Sequence, residues 1–536
     1  MTKQQTLSGT WTLLRFMLRR DRIQIPVWFF SITLTILATL ISFEELYPSE
    51  MDRQAIAGTM ATPASIALTG PKLYLEDYHF GSMMSHQMLS MVGIAVALMS
   101  IFLIVRHTRK EEETGRSELV RASVVGRHAN ATAVLIFAIG ANLLLGLIVA
   151  VGLGVTGVES ITWEGSFLFG TAMASIGISF SGLTIVIVQL MEHSRAASGL
   201  SSGILAIAFS LRAVGDLGNE ALSWISPIGW AQQTEAFLGN DWTPLLLSLF
   251  FTIVLIVIAY PLSNMRDVGA GLVRPRPGRE DAPKSLSSPL GLAFRLQRTN
   301  LFIWSFALLL FGMSYGAFIG EAEEMFGALG DSLEGMLPEM SSGVLADSVA
   351  AMFMTVSAMF ASIPALQSIL RLRSEEKAGR LDSLLSTPVA RKRLLASYLL
   401  IALSSSVVFL FMAGFGMGIT GTQSMGDISY LPALTFAGLA FAPALWVAIG
   451  LAVFLYGLFP RKAGFSWAIV VYAFFVLYLG GALQLPEWLT ELSPFGHIPS
   501  MPAQDFELVP LLALTGVALV LVVIGFIGYG RRDITN

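Results

Sequence analysis

Residues 109–128 read RKEEETGRSELVRASVVGRH, and residues 373–392 read RSEEKAGRLDSLLSTPVARK. A constant offset of 264, with no gap, sets Arg109 on Arg373, Glu111 on Glu375 and Glu112 on Glu376. It also sets Gly115 on Gly379, Arg116 on Arg380, Glu118 on Asp382, Val125 on Val389 and Arg127 on Arg391. Self-similarity at a fixed spacing decides architecture before any local reading does. Two further echoes follow in the same order. Trp224-Ile225-Ser226-Pro227-Ile228-Gly229 returns from Trp488 to Gly496 with three additional residues after the Trp, which puts Ser493-Pro494-Phe495-Gly496 at an offset of 267. Pro244 and Pro510 then open an apolar block in each copy, and a weaker echo runs into Trp28 and Trp304.

The sequence around these charged stretches is apolar. Of 536 residues, 54% are hydrophobic and 13% charged, with mean hydropathy +0.68. A soluble domain carries about 25% charged residues, and a helix crosses a bilayer in roughly 20 apolar residues. Twelve blocks qualify: 26–44, 86–106, 131–156, 166–191, 198–218, 243–264, 301–320, 349–371, 394–419, 430–458, 464–483 and 508–530. The expected fold is an all-α polytopic membrane protein. Its twelve transmembrane helices form two six-helix repeats, 1–265 and 291–536, joined by a linker at 266–290 rich in Arg, Pro, Gly and Ser. Six is even, so both copies share one orientation and the pseudo-twofold axis lies along the membrane normal.

Charge gives the orientation. With the N-terminus inside, every one of the 33 Lys and Arg residues except Arg53, Lys72 and Arg212 falls on the inner side, as the positive-inside rule requires. Both termini are therefore expected in the cytoplasm of a prokaryotic cell. No cleavage site follows the first apolar block, which reads as a permanent span. A net charge of −4 argues against a nucleic-acid partner. The absence of cysteine excludes disulfides and thiolate chemistry. The six His are scattered, so neither a metal site nor a nucleophile–base pair is expected.

Each repeated charged stretch joins the second and third spans of its half. Its acids suit the positive end of a helix dipole, and Gly115 and Gly379 permit a tight bend or a close backbone approach. Pro388 limits the second short helix, where the first copy has Val124. A plain loop would need the basic residues to hold orientation. It would not need acids, Gly and spacing to recur.

The pattern Glu-Glu-x-x-Gly-Arg-x-(Glu/Asp), followed in the second copy by Pro388-Val389-Ala390-Arg391, resembles the coupling-helix loop of ABC-2 type permeases, the membrane subunits of type V ABC exporters. The duplicated twelve-span layout and the Trp-x-Ser-Pro-x-Gly-Trp run at 224–230 resemble the subgroup that exports polyketide antibiotics. The resemblance implies ATPase coupling through Glu111, Glu112, Gly115, Arg116, Glu118, Glu375, Glu376, Gly379, Arg380, Asp382 and Pro388. It implies an outer gate at Trp224, Ser226, Pro227, Gly229, Trp230, Ser493, Pro494 and Gly496. It also implies two copies of a separate ATPase that bind ATP and Mg, since this chain has no G-x-x-x-x-G-K-[ST] phosphate loop. The chain itself is then no enzyme and holds no cofactor. Its cargo is expected to be an apolar or amphipathic compound, in contact with membrane lipid.

Residues 7–22 and 289–298 suit amphipathic helices at the inner interface. Met88 and Met91, and Met352 and Met359 in the other half, could offer cargo a soft apolar surface, although such residues more often pack or face lipid. Arg212 can pair with Asp216 one turn on, and His86 is read as interfacial. Twelve spans in two parallel halves also fit an ion-coupled secondary multidrug transporter. The charged loops lack the Gly-x-x-x-Asp-Arg-x-Gly-Arg-Arg pattern expected there, and the spans lack acids for proton coupling. No acid or His cluster supports a membrane enzyme.

Overall fold

The protein is described by a computed structural model over residues 6–116, 118, 125–267, 269–273, 280–333, 342–479 and 486–532. The described residues contain helices and no strand. The chain divides into two compact units, Met1–Gly278 and Arg279–Asn536.

In the first unit, α1 (Thr10–Arg20) is a short amphipathic helix. The spans follow as α2 (Gln24–Leu46), α3 (Phe80–His107), α4 (Ala129–Val155), α5 (Trp163–Leu190), α6 (Ser194–Asp216) and α7 (Pro244–Met265). In the second, α8 (Pro289–Leu333) joins the interfacial stretch and the first span in one helix. It is followed by α9 (Ser342–Lys377), α10 (Arg391–Met425), α11 (Tyr430–Ala440), α12 (Ala442–Leu458), α13 (Trp467–Leu479) and α14 (Leu508–Arg531). Eleven helices among the described residues are long and apolar enough to cross a membrane. The expected span at 464–483 is described as α13 only, and residues 480–485 lie outside the described residues. The expected span at 430–458 is met by one apolar stretch, Tyr430–Leu458, with a local break at Phe441 ahead of Pro443, because proline cannot donate to the preceding turn.

The fourth span is the centre of each unit. In the first, 78% of its apolar stretch is buried, against 22% for the first span and 17% for the sixth. In the second the fourth span is 72% buried and the outer spans 22%. Helices that are apolar all round yet bare on most of their surface require an apolar solvent.

Glycines set the tightest crossings. A Cβ on Gly146 of α4 would lie 2.5 Å from the Gly170 carbonyl of α5, and one on Gly170 would lie 2.2 Å from that of Gly146. In the second unit Gly312, Gly316 and Gly320 line one face of α8 against α10. Added Cβ atoms there would meet Ala413 O at 2.1 Å, Met417 O at 2.2 Å and Ser424 O at 2.8 Å. Thr420 donates to Met313 O (2.7 Å) and Ser424 to Gly316 O (3.0 Å) across the same seam. Small residues that let backbones touch and short hydroxyls that bond across them are how helices associate where water supplies no driving force.

Candidate functional site

The first charged loop begins as α3 ends. Thr108 breaks the helix, and Arg109–Glu113 form one further turn. Three consecutive glutamates leave that turn in three directions. Glu111 accepts from Arg20 at the end of α1. Glu112 takes both prongs of Arg266, just past α7, at 2.7 and 2.9 Å, and Arg109 at 2.9 Å. Glu113 caps α6, accepting from the Ser194 backbone amide at 2.7 Å and from its hydroxyl. Arg109 is fully buried; it also donates to the Val188 carbonyl near the end of α5 and to Ala270 O at 3.0 Å. Forked guanidinium–carboxylate pairs of this kind are both strong and directional.

The second loop is fastened by the same rules. Glu376 holds Arg532, just past α14, at 2.7 and 2.9 Å, and accepts from the Tyr456 hydroxyl of α12. Arg532 lies over the rings of Tyr456 (4.5 Å) and Tyr529 (4.9 Å). Glu375 binds Arg380, five residues on, as Glu111 approaches Arg116 at 3.8 Å. Arg373 donates to the Arg461 carbonyl (2.9 Å) beyond the fourth span, matching Arg109 on Val188. Arg127 donates to Asn264 O (2.8 Å) and Arg391 to Arg532 O (3.3 Å), each at the end of a sixth span. The burial of these acids was not legible from the loops alone.

Gly115 (φ +72°) and Gly379 (φ +68°) both adopt the left-handed conformation, and added Cβ atoms there would meet nothing within 4 Å. Of the two roles open to them, they serve the bend. After the bend a short helix, Arg380–Leu385, tucks Leu381 into the core and stops before Pro388. Its first-copy counterpart is described at Arg116 and Glu118; residues 119–124, Val124 included, lie outside the described residues. Arg116 and Arg380, each 60% exposed, and the exposed Glu118 and Asp382 form the outward face of the motif. The Glu375 carboxylate holds the Arg380 guanidinium above its ordinary pKa.

On the opposite end of each unit the Ser-Pro-x-Gly turns are one structure built twice. Ser226 and Ser493, both buried, accept from the amides of Ile228 (3.2 Å) and Phe495 (3.4 Å), and Pro227 and Pro494 occupy the first helical position. Added Cβ atoms on Gly229 and Gly496 would lie 2.0 and 2.5 Å from the carbonyls of Ser223 and Thr490, six residues earlier in each case. Trp230 is nearly buried and donates to Trp224 O at 2.6 Å, while Trp224 and Trp488 stand exposed. The Arg212–Asp216 pair forms at 3.2 Å and is wholly buried, with Ser223 donating to Asp216 at 2.7 Å.

His86 is fully buried, with the Tyr78 hydroxyl at 3.0 Å on one ring nitrogen and Thr69 (3.0 Å) and Gly70 O (3.2 Å) on the other, because the segment 62–78 folds over the start of α3. The methionines share no common environment. Met91 and Met352 are exposed, Met88 is half-buried and Met359 is buried in the core of its unit.

A family model described as "Multidrug efflux system permease Rv1217c, C-terminal domain" matches residues 14–261 and 286–530. The multidrug efflux system permease protein Rv1217c of Mycobacterium tuberculosis (strain ATCC 25618 / H37Rv) is 37% identical over 532 residues, which is 98% of this chain and 95% of that protein.

Proposed function

The chain belongs to the multidrug efflux system permease family, and on that premise we propose that it is the membrane subunit of an ATP-driven exporter of the ABC-2 (type V) kind. It is a multi-pass membrane protein and a transport subunit rather than an enzyme. The charged loops and both termini face the cytoplasm. One copy of a separate ATPase docks beneath each loop and binds ATP and Mg there, and its closure displaces the loop. The cargo is an apolar or amphipathic compound, of which polyketide antibiotics are one class. The Ser-Pro-x-Gly turns close the outer exit.

The observation that carries the coupling role is the division of labour within each loop. The inner acids, Glu112 and Glu376, are spent on arginines that follow the sixth spans, so a force on the loop reaches the bundle through them. The residues after the bend, Arg116, Glu118, Arg380 and Asp382, are exposed, and a partner would meet them first. Co-purification with an ATPase from an adjacent reading frame tests docking: Glu118→Lys with Asp382→Lys should release the partner. Glu112→Ala with Glu376→Ala should retain the partner but lose drug transport. Undiminished transport in that double variant, or ATP hydrolysis by the purified chain alone, overturns the proposal.

A further inference from the structure

A groove of about 990 Å³ opens in the first unit where α1 meets α2 and where α3 and α6 approach the charged loop. Five cations line it: Arg20, Arg106, Lys110, Arg116 and Arg195. Among the described residues no carboxylate lines it. Asp21 and Glu111 lie behind, engaging Arg106 (3.1 Å) and Arg20. Lys110 and Arg195 form no ion pair among the described residues. The α6 wall is Ser194, Ser198, Gly199 and Ser202, small residues that leave the space open; Ser198 and Ser202 offer hydroxyls, while that of Ser194 is held by Glu113. One turn into the span from Arg106 the lining becomes apolar at Phe102, which is 44% exposed.

We propose that this groove seats a phosphate-bearing anion, supplied by the headgroup of an anionic lipid in the leaflet that the charged loops face. Guanidinium forks match phosphate oxygens in pairs, and lysine adds a mobile point charge. The change from cations to an exposed Phe along one wall fits a molecule that is charged at one end and hydrocarbon at the other. The site belongs to the first half. At the gap-free offset of 264, Arg106 and Lys110 become Leu370 and Ser374, so two of the five cations are missing from the second copy. One such ligand per chain is expected.

Native mass spectrometry of the full chain, titrated with phosphatidylglycerol or phosphatidylcholine, tests this. The wild type should hold one phosphatidylglycerol more tightly than any phosphatidylcholine. Lys110→Ala with Arg195→Ala should weaken phosphatidylglycerol about thirtyfold, roughly fivefold for each cation at a membrane surface, and leave phosphatidylcholine unchanged. Lys110→Gln alone should give about a fivefold loss, and the thermal midpoint of each variant checks folding. Competition with inorganic phosphate separates the two sources of the same chemistry: displacement assigns the site to the phosphate group itself, and resistance assigns it to the whole lipid. Equal binding of the two lipids by the wild type, or unchanged phosphatidylglycerol binding by the folded double variant, overturns the proposal. No ATPase enters the assay, so its outcome is separate from that of the coupling proposal.

Discussion

The first half enters its bundle through a bent pair of helices, and the second through one straight helix. In the first, α1 stops at Arg20, and the chain turns at Asp21, which is buried against His107 (2.6 Å) and Arg106 (3.1 Å) of α3. Burial pushes the Asp21 carboxyl up, but its bond to His107 and the charges of His107 and Arg106 outweigh this and hold it below the ordinary range. In the second, α8 runs unbroken from Pro289. Aligning Trp28 with Trp304 puts Gln297 in the place of Asp21, and puts Gly312 and Gly316 in the places of Ile36 and Leu40. Ile36 and Leu40 are fully buried side chains filling the core, whereas the glycines bring α8 against the backbone of α10. What the halves share is the fastening of the loop to the ends of the fourth and sixth spans. What differs is how the leading helix is held. The duplicated chain has kept its transmission and varied its mounting.

The largest effect expected from breaking this contrast is at the second mounting. Gly316→Leu forces a side chain onto the Met417 carbonyl, 2.2 Å from where its Cβ must sit, and should abolish recovery of folded protein. Ile36→Ala in the first half leaves a cavity instead and should cost about 2–5 kcal/mol in thermal unfolding in detergent. Next comes the loop itself. Glu112→Ala strands buried Arg109 together with Arg266 and should cost about 3–5 kcal/mol. Glu376→Ala should cost less, about 2–3 kcal/mol for its bonds to Arg532 and to the Tyr456 hydroxyl, because Arg532 keeps its two tyrosine rings. Asp21→Asn should then lower stability by about 1.5–3 kcal/mol and expose the α1–α2 junction to proteolysis, with no matching effect at Gln297→Ala. The smallest effect should be equal in both halves: Gly115→Ala and Gly379→Ala each cost about 1 kcal/mol for a left-handed alanine. Unequal values there would show that one bend carries a load the other does not.

Sequence was informative where a signal repeated or was long. Eleven spans came from the length of apolar blocks, the two loops and the Ser-Pro-x-Gly turns from spacing, and the Arg212–Asp216 pair from helical geometry. Arg266 and Arg532, which hold Glu112 and Glu376, were not legible from the loops, since they lie more than 150 residues downstream. A trace of them was present: Arg266 and Arg532 each follow by twenty-two residues the proline that opens a sixth span. The offset shifts from 264 to 266 between the loop and that arginine, so a search at fixed spacing passes over it. The burial of His86 was not legible because its position at a helix start says nothing about the segment 62–78 that folds over it. The break at Phe441 was missed because Pro443 sits within a block whose hydropathy is continuous.

Glu111, Glu112 and Glu113 also bear on freedom of movement. Each is bonded to a different helix terminus, the end of α1, the residue after α7 and the first residue of α6. A turn tied to one neighbour could swing about it, and a turn tied to two could still rock. Tied to three, it has lost the freedom that one or two ties would leave. The turn Arg109–Glu113 is therefore held like a plate on three pins: displacing it pulls on all three helix ends together.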